Sequence, residues 1–257
     1  MNTGESRHSK EASIKPSSRP IFVRNRFAIL LGFMVLYLLA LPVLSRIDSP
    51  DDETLVSMLF RLIFAGMLLA AVFAVAKNRR GAIIATVLAL PALAIQLVPS
   101  ANAPDPTLVL RSLLGMLFLS YVALVLLRLV FTTGIVTVDT ICASICVYLL
   151  LGIVWSIAYT LLEAQEPGSF RITATGEAKT PSMEYDGTPN EFPIYYSFVT
   201  MTTLGYGDIV PTRPSSRMLT ILQALTGQIY LVVLVARLVG LHISHSSSTT
   251  PEVNPKE

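Results

Sequence analysis

The chain has 257 residues, of which 53% are hydrophobic and only 14% charged, with a formal net charge of +2. A water-soluble protein of this size would carry closer to a quarter charged residues, and a mean hydropathy of +0.62 points the same way. These figures exclude a soluble globular enzyme, and no nucleic-acid partner is expected. A membrane-crossing helix needs about 20 mostly apolar residues. In chain order six stretches qualify, at 27–44, 55–76, 81–98, 107–131, 140–162 and 215–241. The first ends near Pro42 and the third is broken by Pro91, both tolerated in membrane helices. The expected fold is therefore an all-α membrane protein with six transmembrane helices.

Ahead of the first span, residues 1–26 carry Arg7, Lys10, Lys15, Arg19, Arg24 and Arg26 against only Glu5 and Glu11. This leader is expected to be a disordered basic tail, and the long apolar stretch behind it an uncleaved anchor. The loop after the first span holds Asp48, Asp51, Asp52 and Glu53 with one Arg46. The loop after the second is Lys77-Asn78-Arg79-Arg80, and the loop after the third holds only Asp105. Basic residues in short loops mark the cytoplasmic side. The N-terminus is thus expected in the cytoplasm of a cell bounded by the plasma (inner) membrane, and six crossings return the C-terminus to the same side.

Residues 27–131 form a four-helix region with few charges. In its fourth span Arg111 and Arg128 are separated by sixteen uncharged residues, and each lies near an end. Both are expected to snorkel to the interface. Residues 55–76 and 81–98 contain no Asp or Glu, and Arg61 is the only charge of the second span. A voltage sensor needs basic residues at every third position of its fourth span. Here that ladder is missing.

The fifth span places Cys142 and Cys146 four residues apart on one face, read as packing thiols rather than a disulfide within one helix. From Glu163 to Glu191 there are six carboxylates and two bases, an acidic outer loop. Residues 191–200 then read as a short amphipathic helix with Asn190 as N-cap and Pro193 in the first turn. A helix re-entering at membrane depth requires surrounding protein. It leads into Thr200-Met201-Thr202-Thr203-Leu204-Gly205-Tyr206-Gly207-Asp208. Gly205 and Gly207 permit backbone angles that residues with a Cβ avoid, so the segment can turn a row of carbonyls toward one axis. Thr203 adds a hydroxyl below them, and Tyr206 can anchor the loop from behind. The sixth span follows, then His242 and His245, read as a solvated pair because the Ser-rich tail offers no further metal ligands. Residues 243–257 are expected to be a disordered cytoplasmic tail.

From Thr200 to Asp208 the sequence resembles the signature of the potassium-channel family, with Leu204 where Val or Ile is commoner. Span, short helix, filter and span over residues 137–242 is similar to that family's pore module. The resemblance implies a re-entrant pore helix and a selectivity filter between the fifth and sixth helices. It implies K+ coordination by main-chain oxygens of Thr203, Leu204, Gly205, Tyr206 and Gly207, with the Thr203 hydroxyl below. It further implies filter support by Asp208, Tyr195 and Thr202. Gly227 falls where the family has a hinge in the inner helix, or else serves close helix packing. Gln228 would face the cavity, or make a buried helix–helix hydrogen bond. Val199 stands where some simple bacterial members have a Glu paired with the filter aspartate, and Val210 where an aromatic ring cages external tetraethylammonium. The motif occurs once, implying a homotetramer in which three identical subunits complete the pore. K+ is the permeant ion, and no cofactor or enzymatic activity is implied.

Two other readings stay open within transport. A less selective cation channel would use the same loop, held differently at Tyr206. A potassium-uptake transporter subunit would reuse the same module, but that family places four degenerate copies in one chain. A membrane enzyme or secondary carrier would show intramembrane ionisable residues or inverted repeats, and the centres of the six spans show neither clearly.

Overall fold

The computed structural model describes residues 25–44, 53–76, 79–96, 106–134, 137–173 and 192–247. In chain order they form helices α1 (Arg26–Leu44), α2 (Glu53–Val75), α3 (Arg79–Gln96), α4 (Pro106–Thr132) and α5 (Val138–Gln165). Strand β1 (Phe170–Ile172), helix α6 (Phe192–Met201), strand β2 (Ile209–Pro211) and helix α7 (Pro214–Ser247) follow. Each apolar stretch of the sequence is thus helical. Leu108–Thr132, Val138–Gln165 and Pro214–Leu241 are long and apolar enough to cross a membrane, and Arg26–Leu41 and Arg61–Val75 are shorter apolar helices. Helix α3 has 18 residues and opens on Arg79 and Arg80. The expected tail 1–26 lies almost wholly outside the described residues, as do the expected N-cap Asn190 and residues 248–257. The backbone stays helical to Ser247, five residues into the segment expected as a tail.

Local chemistry sets the helix ends. Thr137 caps α5, its hydroxyl accepting from the Thr140 amide at 3.3 Å, with Asp139 in the first turn. Pro214 opens α7, where its missing N–H costs nothing. Helices α1 to α5 share one core, in which Leu30, Met34, Met67, Phe118, Leu126 and Leu150 are fully enclosed. Small residues bring helices close together: a Cβ on Gly66 would sit 2.7 Å from the Phe33 ring. Cys142 and Cys146 are free thiols, and Cys146 is buried with its S–H directed at the Phe27 carbonyl of α1.

Arg111 departs from the sequence expectation. Its side chain does not reach outward; it is only 9% exposed and donates from Nη2 to the Ile95 carbonyl at 3.4 Å. Ile95 lies in the last turn of α3, where exposed carbonyls and the helix dipole favour a cation. A polar partner one helix away, invisible in a linear reading, outcompetes the interface. Arg128 is exposed.

The two strands were not expected either, and they add a small antiparallel sheet to the otherwise helical fold. Phe170 pairs with Pro211, Arg171 with Val210 and Ile172 with Ile209. Three residues are too few for alternation to stand out in a sequence. A second, smaller core of Tyr159, Phe170, Tyr196 and Ile209 lies beneath this sheet.

Candidate pore site

Helix α6 ends at Met201, and the chain then leaves the helix through Thr202 and Thr203. The Leu204 amide donates to Val199 O at 3.0 Å and the Thr203 amide to Thr200 O at 3.1 Å, so the last carbonyls of α6 tie down the start of the loop. The Thr202 hydroxyl donates to Phe198 O at 2.6 Å, and the Thr203 hydroxyl to Thr202 O at 2.6 Å. A hydroxyl that donates downward keeps its oxygen lone pairs for another partner.

Backbone angles then alternate. φ is +62° at Thr203, +57° at Gly205 and +77° at Gly207, while Leu204 and Tyr206 between them have negative φ. In a β-strand successive residues face opposite ways. Alternating the sign of φ cancels that alternation and brings successive carbonyls toward one side. Two of the three left-handed positions are glycine, which adopts them at no steric cost. Thr203 costs about 1–2 kcal/mol there, and the hydrogen bonds to the end of α6 hold it in place.

Asp208 closes the row. Its Oδ1 accepts from the Ile209 amide at 3.0 Å and its Oδ2 from the Tyr195 hydroxyl at 2.5 Å. Both carboxylate oxygens are engaged, one by its own strand and one by α6. The structure therefore brings Thr202, Thr203, Gly205, Gly207, Asp208 and Tyr195 into one continuous unit. In the single chain that unit is open on one side, where Leu204 is 56% and Tyr206 67% exposed.

Gly227 sits where α7 packs against Met201, the last residue of α6 before the loop. A Cβ there would lie 2.8 Å from Met201 Cγ and 2.8 Å from the Met201 carbonyl oxygen, which cannot move aside cheaply. The neighbouring Gln228 is exposed. It lies with Leu225, Ile229 and Val232 on an uncovered apolar face of α7.

Sequence reasoning missed the polar residues that lock the loop's frame. Gln223, Ser197 and Tyr159 are each 0% exposed. Gln223 Nε2 donates to Ser197 O at 2.9 Å and lies 2.6 Å from Ser197 Oγ. The Tyr159 hydroxyl donates to Gln223 Oε1. Ser197 Oγ in turn donates to Gly152 O at 2.6 Å, and a Cβ on Gly152 would lie 2.6 Å from the Phe198 ring. Helices α5, α6 and α7 are thus joined through one buried network. The available signal was Gln223 itself, an amide inside an apolar span.

Residues 193–242, covering most of α6, the loop, β2 and most of α7, match the family model described as "Ion channel". The match covers the geometry just described. A curated relative, two-pore potassium channel 4 of Arabidopsis thaliana, is 47% identical over 46 residues, which is 18% of this chain and 16% of the relative. The pore segment is therefore similar to ion channels, one of them a potassium channel. The chain matches about one sixth of that relative's length, and no solved structure matches it. The ion-channel match and three described helices long and apolar enough to cross a membrane make it a membrane protein.

Proposed function

We propose that this chain is one of four identical subunits of a potassium-selective channel. Each subunit contributes Thr203 to Gly207 to a central filter, with main-chain oxygens replacing the hydration shell of K+. The observation that carries this function is the alternation of φ along Thr203–Gly207, on a loop braced by Asp208 and Tyr195. The open side of that loop and the uncovered apolar face of α7 support assembly, since a ring of carbonyls needs several chains around one axis. Thr202 fixes the filter base. Gly227 is the point at which α7 can bend against that base, and Gln228 is directed to the cavity below. The six long helices all cross the plasma membrane, α6 re-enters from outside, and both termini are cytoplasmic. Purified protein in liposomes loaded with potassium is expected to accumulate tracer rubidium, and failure to do so with correctly assembled protein would refute this function.

Opening is expected to depend only weakly on membrane potential. Steep gating moves three to four charges per subunit, each worth about 2.3 kcal/mol per 100 mV. Arg111 is fixed to the end of α3 and Arg128 is already exposed, so neither has a path across the field. The conductance–voltage relation of reconstituted channels checks this expectation. A slope of several charges per tetramer, reduced in Arg111→Gln or Arg128→Gln, would contradict it.

External tetraethylammonium is expected to block weakly. Val210, two residues after Asp208, offers no aromatic face for a quaternary ammonium, and its register partner on β1 is the cationic Arg171. Val210→Tyr is expected to strengthen block, as read from the concentration that halves the current.

A further inference from the structure

We infer that β1 and Thr173 form a strap that positions the outer end of the carbonyl row, with Thr173 as the positioning residue for Gly207. The inference rests on the channel function proposed above. The Thr173 amide donates to Asp208 O at 2.7 Å. Its hydroxyl lies 2.7 Å from Gly207 O and 3.0 Å from Asp208 O, so one hydrogen is shared between two successive carbonyls. Gly207, at φ +77° with no atom within 4 Å of a built Cβ, has nothing of its own to hold that angle. Glycine has the most backbone freedom of any residue. The restraint comes instead from a residue 34 positions earlier in the chain.

The strap is itself anchored on three helices. Glu163, buried at the end of α5, accepts the Gly168 amide at 2.7 Å and the Phe170 amide at 3.2 Å through its two carboxylate oxygens. Phe170 packs edge-on against Tyr159 of α5 and Tyr196 of α6, with centroids 5.2 and 5.1 Å apart. Ser169 O accepts the Thr212 amide at 2.9 Å and the Ser216 hydroxyl of α7 at 2.8 Å. Between these anchors, pairing of β1 with β2 aligns Thr173 opposite the last filter residues. A row of carbonyls without a bound cation repels itself, and its outermost members face water. A protein donor on Gly207 and Asp208 opposes their turning away.

Thr173→Val keeps the β-branched shape and the backbone bond but removes the shared donor. Two measurements on the 257-residue chain separate the strap from the channel function. In planar bilayers, the external potassium needed to sustain half of the full conductance is expected to rise about fivefold in Thr173→Val, the effect of losing one typical hydrogen bond. Thr173→Ser, which retains the donor, is expected to stay within about twofold of the unmodified protein. In potassium buffer, amide exchange over residues 205–209 is expected to quicken by a similar factor in Thr173→Val alone. Unchanged exchange and potassium requirement in Thr173→Val would overturn the strap, as would a Ser variant that behaves like Val. Faster exchange in the Val variant, together with no selective flux in the unmodified protein, would refute the channel function while supporting the strap.

Discussion

Gly205→Asp is expected to abolish potassium-selective conduction while leaving the protein able to fold and assemble. No atom lies within 4 Å of a Cβ built at Gly205, so the substitution meets no steric obstacle within its own chain. The damage has two other sources. The native φ of +57° belongs to the left-handed region, which costs a residue with a Cβ about 1–2 kcal/mol. More seriously, in the proposed tetramer four carboxylates would be brought together around one axis beside the carbonyl row, where like charges repel strongly at low dielectric. Tyr206→Ala is expected to fail for a different reason: the ring, 67% exposed in the single chain, would anchor the carbonyl row only within the proposed tetramer, and the substitution removes it. Tetramers mixing mutant and unmodified subunits should also fail, since in the proposed assembly every subunit would contribute to each ring. Tracer flux read beside gel-filtration profiles separates lost conduction from lost assembly. Unchanged selectivity in either variant would place the filter elsewhere.

Gln223→Leu is expected to be strongly destabilising. The side chain is fully buried and serves Ser197 and Tyr159 at once. Leucine of similar size fills the space but takes away the acceptor that Gln223 gives the Tyr159 hydroxyl and the side-chain donor that it gives Ser197. Losing a buried partner costs about 1–3 kcal/mol each time, so a loss of roughly 2–6 kcal/mol for the two is expected in thermal or denaturant unfolding in detergent. Tyr159→Phe removes the donor as well, and the double variant should lose less than the sum of the two single ones. Strict additivity in that cycle would mean that the three side chains do not act as one network.

The helical architecture was legible because apolar runs of membrane length leave few alternatives, and each of the six long helices falls within a few residues of the expected stretch. The loop of alternating φ was legible because its glycines, tyrosine and aspartate are adjacent in sequence, so one short string carries the whole backbone requirement. What was not legible depends on residues brought together from far apart. Thr173 meets Gly207 across a chain separation of 34, Gln223 meets Tyr159 across 64, and Arg111 meets Ile95 on another helix. None of these has a local pattern. Gln223 and Gln228 both interrupt the same apolar span, and only packing distinguishes them: the first is enclosed by α5 and α6, the second is exposed. The β1–β2 pair escaped notice because three-residue strands are defined by their partners rather than by their own composition.

If Thr203 to Gly207 forms a potassium-selective filter, as proposed, the bi-ionic reversal potential reads it most directly. With potassium on one side of a planar bilayer and sodium on the other, purified protein should carry a current that reverses only at a large voltage opposing potassium efflux. Rubidium in place of potassium should preserve most of that shift, and lithium in place of sodium should leave it unchanged. A reversal potential near zero, with sodium and potassium passing equally well through intact assembled protein, would contradict the claim.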